Sequence, residues 1–366
     1  MPAARKRLLA IISLLACLTT GFGPPTLTDG DIPSRTLTPQ QLRAMQVSAV
    51  PAISAEAAIL VNVSSREVLY QKNAHERRAP ASFTKLATAL VALQRGNLEE
   101  EYAVWPVDLS ATTAAGLRNG EYLTVWQLLH MMLIPSDNAA ANCIARNMGG
   151  NVATFVGWMN ELADSLGLQD TQFANAHGLD HPDLYSTAYD MAILGLYAMQ
   201  DDRIADMVAY DEAVVAKHWL INTNKLLMTY PGTIGVKTGT TDNAGECLIA
   251  MVRRPQGTVM SVVMDSQDRF LDSVLLLDHY YANYAEITVS MPNTPLNRFR
   301  DDDGIWRSLR IEEPVTLLVH PWQTGSVSIF RRIDDTRGGL PSGTEVGTLE
   351  ISIAGKVVRS EPLYVR

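Results

Sequence analysis

A chain of 366 residues, 47% hydrophobic and 19% charged, holds enough apolar side chains for two packed domains, which excludes disorder over most of its length. Its formal charge of −9 argues against nucleic acid and anionic lipid as general partners, since both call for clustered Lys and Arg over a sizeable surface. Beyond Cys17 the only cysteines are Cys143 and Cys247, too few for a disulfide framework or a four-thiolate metal site.

In chain order, Arg5, Lys6 and Arg7 precede an apolar run from Leu8 to Leu18 that is short for a bilayer span and reads as an export signal. Three fates for it stay open: cleavage near Gly21 to Gly23, lipidation at Cys17 after the Leu14-Leu15-Ala16 box, or retention as an anchor. Residues 1–23 are therefore assigned to a signal or anchor, and the Pro-, Thr- and Gly-rich residues 24–40 to a flexible tether. Ala57 to Val63 and Glu67 to Gln71, joined by Ser64-Ser65-Arg66, predict a hairpin. A helix is expected from Ser82 through Leu93, and a second from Thr124, as its cap, to Leu133.

Strands are expected again at Thr233 to Lys237 and Cys247 to Arg253, so one sheet is closed by the two ends of a first domain, 41–285, and covered by helices. Asp268 to Tyr284 carries apolar residues at helical spacing and ends that domain. From 286 to 366 the pattern changes to short alternating runs, including Val315 to Val319, Val327 to Phe330 and Leu349/Ile351/Ile353, with a hairpin at Ala354-Gly355. These predict a small all-β domain. Cys143 and Cys247 read as small buried hydrophobes; export would permit a disulfide between them, but the sequence does not place it.

Three short motifs occur in order: Ser82-Phe83-Thr84-Lys85, Ser136-Asp137-Asn138 and Lys237-Thr238-Gly239. Each alone reads as a helix cap, a turn or a strand end; the ordered set is the pattern of serine acyl-transfer enzymes. At i, i+3 on a helix, Ser82 and Lys85 share a face, so the amine can reach the hydroxyl. A solvated lysine is protonated and cannot be a base, but burial and a second cation, Lys237, would lower the Lys85 pKa. Lys85 is thus the expected base, with Lys237 remaining charged to draw in a substrate carboxylate. Ser136 would shuttle a proton to the leaving amine, Asn138 would hold the substrate amide and orient Lys85, and Asp137 would point away as a structural residue. Gly239 lets a peptide backbone approach the strand, and the Ser82 and Thr240 amides form the expected oxyanion hole.

These motifs, together with Pro80-Ala81 before Ser82, Phe173-Ala174-Asn175-Ala176-His177-Gly178-Leu179, Asn222-Thr223-Asn224-Lys225 and Gly235-Val236 before Lys237, resemble the D-alanyl-D-alanine carboxypeptidases. These are the low-molecular-mass penicillin-binding proteins of serine peptidase family S11. The resemblance runs from about Ala57 to Tyr284, and more loosely over Gly343 to Gly347 and Gly355 to Val358. It implies an α+β, β-lactamase/transpeptidase-like fold of an antiparallel sheet covered by helices, followed by the small β-domain. It also implies catalytic Ser82, Lys85, Ser136 and Asn138 and substrate-binding Lys237, Thr238, Gly239 and Thr240. Peptidoglycan stem peptides would be the substrate, β-lactams the inhibitors, and the site exported, in a periplasm or on the outer face of the cytoplasmic membrane. Many members have Gly where this chain has Asp137 and His where it has Thr240, and members often end in an amphipathic helix where this chain has Pro362 to Arg366. Membrane association is accordingly expected only through the N-terminus, if at all.

His177 reads as a structural hydrogen-bonding residue outside the catalytic set, and Arg269 as either an ion pair or a carboxylate contact. Glu246 and Asp242 read as surface positions. No His/Asp/Glu cluster has metal-ligand spacing and no phosphate loop is evident, so no cofactor is implied. Alternative readings are a D,D-endopeptidase using the same residues, a β-lactamase, which would need a deacylating Glu not recognisable here, and a non-catalytic wall-binding scaffold.

Overall fold

The computed structural model describes residues 50–366, so the expected signal and tether lie outside the described residues. The first elements are strands β1 (Ala57–Asn62) and β2 (Val68–Lys72). Their turn is set by Asn62, whose side-chain oxygen accepts from the Ser65 backbone N–H at 2.7 Å and the Ser65 hydroxyl at 2.9 Å. A 3-10 turn, Ala81–Phe83, leads into helix α1 (Thr84–Arg95), so Ser82 sits in the turn just before the helix rather than at its first residue. A short pair, β3 (Glu101–Ala103) and β4 (Tyr122–Thr124), precedes α2 (Val125–Leu133). Thr124 caps α2 as expected, in a reciprocal capping box with Gln127.

Helices α3 (Asn138–Met148), α4 (Val152–Ser165), α5 (Ala188–Ala198) and α6 (Asp202–Ala209) follow, then a hairpin of β5 (Glu212–Val215) and β6 (His218–Ile221) and the single turn α7 (Leu226–Thr229). Three long strands, β7 (Thr233–Thr241), β8 (Gly245–Arg254) and β9 (Gly257–Ser266), and helix α8 (Arg269–Asn283) complete this half.

The main sheet has the order β2-β1-β9-β8-β7 and its pairings are antiparallel. All of β1 is buried because both faces are covered. Ile59 and Val61 belong to the large cluster built with the mid-sequence helices, while Ala58 and Leu60 pack with Leu276, Leu277 and Tyr280 of α8. β9 was not foreseen in the sequence; it lies at the sheet centre, between β1 and β8. β7 is an edge strand, and its outer side borders the site described below.

After α8 come β10 (Ala285–Val289), β11 (Arg298–Arg300), β12 (Trp306–Arg310), β13 (Val315–Val319), β14 (Val327–Ile333), β15 (Glu345–Ile353) and β16 (Lys356–Val365). β10 pairs with β13, and the rest form a sheet ordered β11-β12-β16-β15-β14 around its own core of Phe299, Leu309, Val346, Leu349, Ile351 and Leu363. The β15–β16 hairpin turns at Ala354-Gly355, both at positive φ. This is the sheet-rich C-terminal domain the alternating runs foretold. Glu286 ties it to the first half, accepting from Asn62 Nδ2 at 2.7 Å, the Ser64 hydroxyl at 2.8 Å and the Thr258 N–H at 3.0 Å.

Candidate active site

Ser82 is held in place by backbone packing. Gly178, at φ +91°, lies so close that an added Cβ would stand 1.8 Å from the Ala81 carbonyl oxygen, and a Cβ on Gly239 of β7 would stand 2.9 Å from Ala81 Cβ and 3.2 Å from Ser82 N. No residue but glycine fits either position without movement of the turn. The loop carrying Gly178 is fastened to α1 by the Thr88 hydroxyl, which donates to the Ala176 carbonyl at 2.7 Å.

Lys85, one turn into the protein from Ser82, is fully buried. Its Nζ lies 2.7 Å from Ser82 Oγ, 2.6 Å from Asn138 Oδ1 and 2.7 Å from the His177 carbonyl oxygen. Burial first, and the Lys237 charge second, hold its pKa well below the ordinary lysine value, against an opposing pull from Asp137. Asp137 is itself buried and structural: it caps α3 through the Ala140 N–H at 2.8 Å and accepts from the Thr113 hydroxyl and the Ala115 N–H, each at 2.7 Å. That cap places Asn138 in the first turn of α3, facing Lys85. Ser136, in the left-handed region at φ 65°, points along the same wall.

These groups border a cleft of about 440 Å³ lined by Ser82, Ser136, Asn138, Thr238, Gly239 and Thr240, with Thr223, Lys225, Arg269 and Phe270 at one end and Gly178 and Leu179 at another. Of the eight motif residues, Lys85 and Lys237 alone do not line this cleft. Lys237 is 1% exposed and donates to the Thr238 carbonyl at 3.2 Å. Burial, and then Arg269, push it down to about 7, so it is a poorer fixed cation than its expected role requires. Arg269 and Lys225 are the cations that line the cleft. Arg269 makes the ion pair considered for it, with Glu246 at 3.2 Å, and lines the cleft while Nη1 donates to the Gly239 carbonyl at 2.7 Å.

His177 stays out of the proton chemistry: burial and the neighbouring Lys85 lower it to about 4, and its Nδ1 accepts from the Leu179 N–H at 3.0 Å. Its contribution to the site is the backbone carbonyl, which no side-chain pattern announces. The Thr238 hydroxyl lies 2.5 Å from that of Thr223, another cleft residue to which the sequence reading gave no role. Cys143 and Cys247 are buried free thiols pushed up to about 12 and about 11 by burial, so the permitted disulfide is absent here. Among the described residues no cluster of His, Cys, Asp or Glu could hold a metal ion.

Chemically, the arrangement offers a hydroxyl with an amine at hydrogen-bond distance, a cationic end for an anionic group, and an edge strand for a peptide. Residues 44–268 match the family described as D-alanyl-D-alanine carboxypeptidase. The carboxypeptidase DacF of Bacillus subtilis (strain 168) is 30% identical over 331 residues, spanning 85% of each chain, and DacA of Escherichia coli (strain K12) is 29% identical over 385 residues, spanning 98% of this chain and 92% of its own. Among solved structures, penicillin binding protein 5 from Haemophilus influenzae superposes with a TM-score of 0.71 at 26% identity, over 87% of this chain and 98% of that one. The Streptomyces K15 DD-transpeptidase superposes with a TM-score of 0.60 at 29% identity, over 64% and 99%.

Proposed function

Because the chain belongs to the D-alanyl-D-alanine carboxypeptidase family of serine peptidases, we propose that it removes the terminal D-alanine of peptidoglycan stem peptides through an acyl-enzyme on Ser82. The observation that carries this reading is the Lys85 amine, buried, depressed in pKa and 2.7 Å from Ser82 Oγ. A neutral amine has two N–H groups and one lone pair. The Asn138 and His177 oxygens take the two N–H groups, which turns the lone pair toward the Ser82 hydroxyl.

In the acylation step Ser82 Oγ attacks the carbonyl carbon of the penultimate D-alanine while Lys85 takes the hydroxyl proton. The Ser82 and Thr240 amides receive the oxyanion, and Ser136 passes a proton to the departing amine as the C–N bond breaks. Arg269 and the Thr238 hydroxyl hold the carboxylate of the leaving residue, with Lys237 adding positive charge from below while it is protonated. Water then cleaves the ester and returns a proton to Ser82.

A β-lactam should acylate the same serine and stay. Glu246 is the one carboxylate among the described residues lining the cleft, and it is engaged with Arg269, so no free carboxylate there is placed to activate water on a bulky ester. The test is intact-mass spectrometry after incubation with penicillin: a stable adduct on the protein and none on Ser82→Ala is expected. Rapid penicillin consumption without an adduct would assign a β-lactamase instead, and an untouched drug would sink the serine chemistry altogether. We further propose, on the strength of the basic and apolar N-terminal segment, that the protein is exported and acts in a periplasm or on the outer face of the cytoplasmic membrane.

A further inference from the structure

The two amides assigned to the oxyanion are unequally supported. Ser82 sits in a turn pressed between Gly178 and Gly239, whereas Thr240 lies where β7 runs out of its cover. Gly235 to Gly239 are buried, Thr240 is exposed, and a turn at Asp242 to Ala244 follows almost at once. Because β7 is an edge strand, the sheet holds Thr240 from one side alone, opposite Glu246 of β8. Exposed ends of this kind open most readily. An oxyanion hole needs its donors within about 2.7–3.1 Å of the oxyanion, so this end of β7 calls for a second anchor.

The loop carrying Gly178 supplies it. Its neck is closed by Gln172 and Tyr185, whose backbones exchange hydrogen bonds of 2.9 Å and 3.1 Å. Inside the loop, the Asn175 side chain accepts from the Gly178 N–H at 2.7 Å and donates to the Leu179 carbonyl at 2.8 Å. On one side the loop is fastened to α1, where Thr88 donates to the Ala176 carbonyl and Lys85 to that of His177. On the other side stands Asp180. Its Oδ1 accepts from the Thr241 hydroxyl at 2.6 Å and its Oδ2 from the Asn243 N–H at 3.1 Å, while Thr241 Oγ1 accepts from the Ala244 N–H at 3.0 Å. One carboxylate thus grips the whole turn that follows Thr240.

Leu179 and Thr241 both line the cleft, so the Asp180 link joins one wall to the other. Asp180 does not line the cleft itself and acts through Thr241 and the turn. The loop therefore meets the chemistry at two points. At His177 its carbonyl orients the Lys85 amine, and at Asp180 it reaches the strand end that carries the second oxyanion donor.

We propose that Asp180 is a positioning residue for the oxyanion hole: by tying the β7–β8 turn to the loop, it keeps the Thr240 amide aimed at the point the Ser82 amide faces. The inference rests on the Ser82 reading above. A neutral carbonyl oxygen gains little from a second donor, whereas the oxygen of a tetrahedral intermediate carries the full negative charge, so a donor that drifts weakens the transition state more than substrate binding. Acylation and deacylation both pass through such an intermediate. Loss of Asp180 should therefore lower kcat whichever step limits it, and leave KM nearly unchanged.

The experiment uses the wild type, Asp180→Ala, Asp180→Asn, Thr241→Val and the double variant Asp180→Ala/Thr241→Val. Release of D-alanine from a stem pentapeptide gives kcat and KM. Infrared difference spectra of the penicillin adduct give the stretching frequency of the ester carbonyl, which donors in the oxyanion hole lower. Asp180→Ala should lose about tenfold in kcat, less than the 10²- to 10³-fold or so that outright removal of a donor costs, with KM within about twofold. Its ester carbonyl should move to higher frequency. Asp180→Asn keeps an oxygen for the Thr241 hydroxyl and should fall between it and the wild type. Because both single changes cut the same link, the double variant should lose less than the product of their losses. A carbonyl frequency unchanged in Asp180→Ala, or a loss of activity that only follows lost thermal stability, would overturn the positioning role and leave the carboxypeptidase standing. A wild type that forms no adduct at all would instead overturn the Ser82 reading, and this inference with it.

Discussion

β7 and β14 are both edge strands, one in each of the two five-stranded sheets, and they have opposite fates. The middle of β7, from Gly235 to Gly239, is buried against the Ser82 turn and the helices, with its glycine pressed on the nucleophile's backbone. β14 is exposed along nearly its whole length, with Ile329 50% and Phe330 61% exposed and Arg331 and Arg332 beside them. An open edge invites unwanted pairing, and charged side chains are one of the usual ways to discourage it. β14 has such guards. β7 instead has a lysine drawn inward and a cleft along its side, which fits an edge kept open for a peptide. The same topological position therefore supports chemistry only where the surrounding packing fixes it to a fraction of an ångström.

The contrast can be broken most severely at Lys85. Lys85→Ala removes the amine proposed as the base and should lower the acylation rate by about 10²- to 10⁴-fold, read from penicillin adduct formation over time. In the wild type, the same base should give the rate an acid limb: protonation of Lys85 as pH falls through its depressed pKa removes the lone pair, so a rate independent of pH down to the carboxylate range would refute its role.

Gly178→Ala is next. The strained backbone alone costs about 1–3 kcal/mol, and the clash with the Ala81 carbonyl adds to it, so both melting temperature and turnover should drop. Unchanged turnover in a stably folded variant would mean the Ser82 turn is not held as described.

A smaller effect comes from His177. Its folded pKa of about 4 lies below the ordinary 6.5, so the fold favours the neutral ring. Stability from this residue is complete above 6.5 and is lost as pH falls from 6.5 toward 4, by up to about 3 kcal/mol. Urea titrations across that range should show the wild type losing stability relative to His177→Gln as pH falls; parallel curves would contradict it.

Smallest of all, Phe330→Ser on β14 should leave turnover intact and move stability by no more than about 0.5 kcal/mol. A larger loss would show that the exposed edge is not so freely mounted.

How far the sequence could be read follows the same division. Ser82, Lys85, Ser136 and Asn138 could be picked out because each is a side chain at a fixed offset in a short motif, and the fold does bring them to one cleft; the Thr124 cap and the Ala354-Gly355 turn were legible for the same local reason. β9 was not. It follows β8 after only Pro255 and Gln256, and with both faces covered its Val259 to Met264 run shows no alternation to separate it from other buried segments. The His177 carbonyl was invisible because every residue has one. The depressed pKa of Lys85 could be reasoned out, but that of Lys237 was not foreseen, because it depends on how deeply the fold buries the amine and, second, on Arg269 arriving from another element.

The pairing of β1 with β9, Ala57 opposite Met264, has a consequence for how the protein comes into being. The sheet's second strand is among the first parts of the domain to be synthesised, and its partner is among the last. Loop-closure entropy grows only slowly with length, so the cost lies in waiting for β9 more than in joining it. Pairings this remote in sequence form late. A ribosome or a translocation channel that has not yet released residue 266 therefore holds a chain in which β1 has no complete β9 beside it and Ser82 has no finished sheet behind it. Activity should appear in one step, at the end of delivery, and never on a nascent chain.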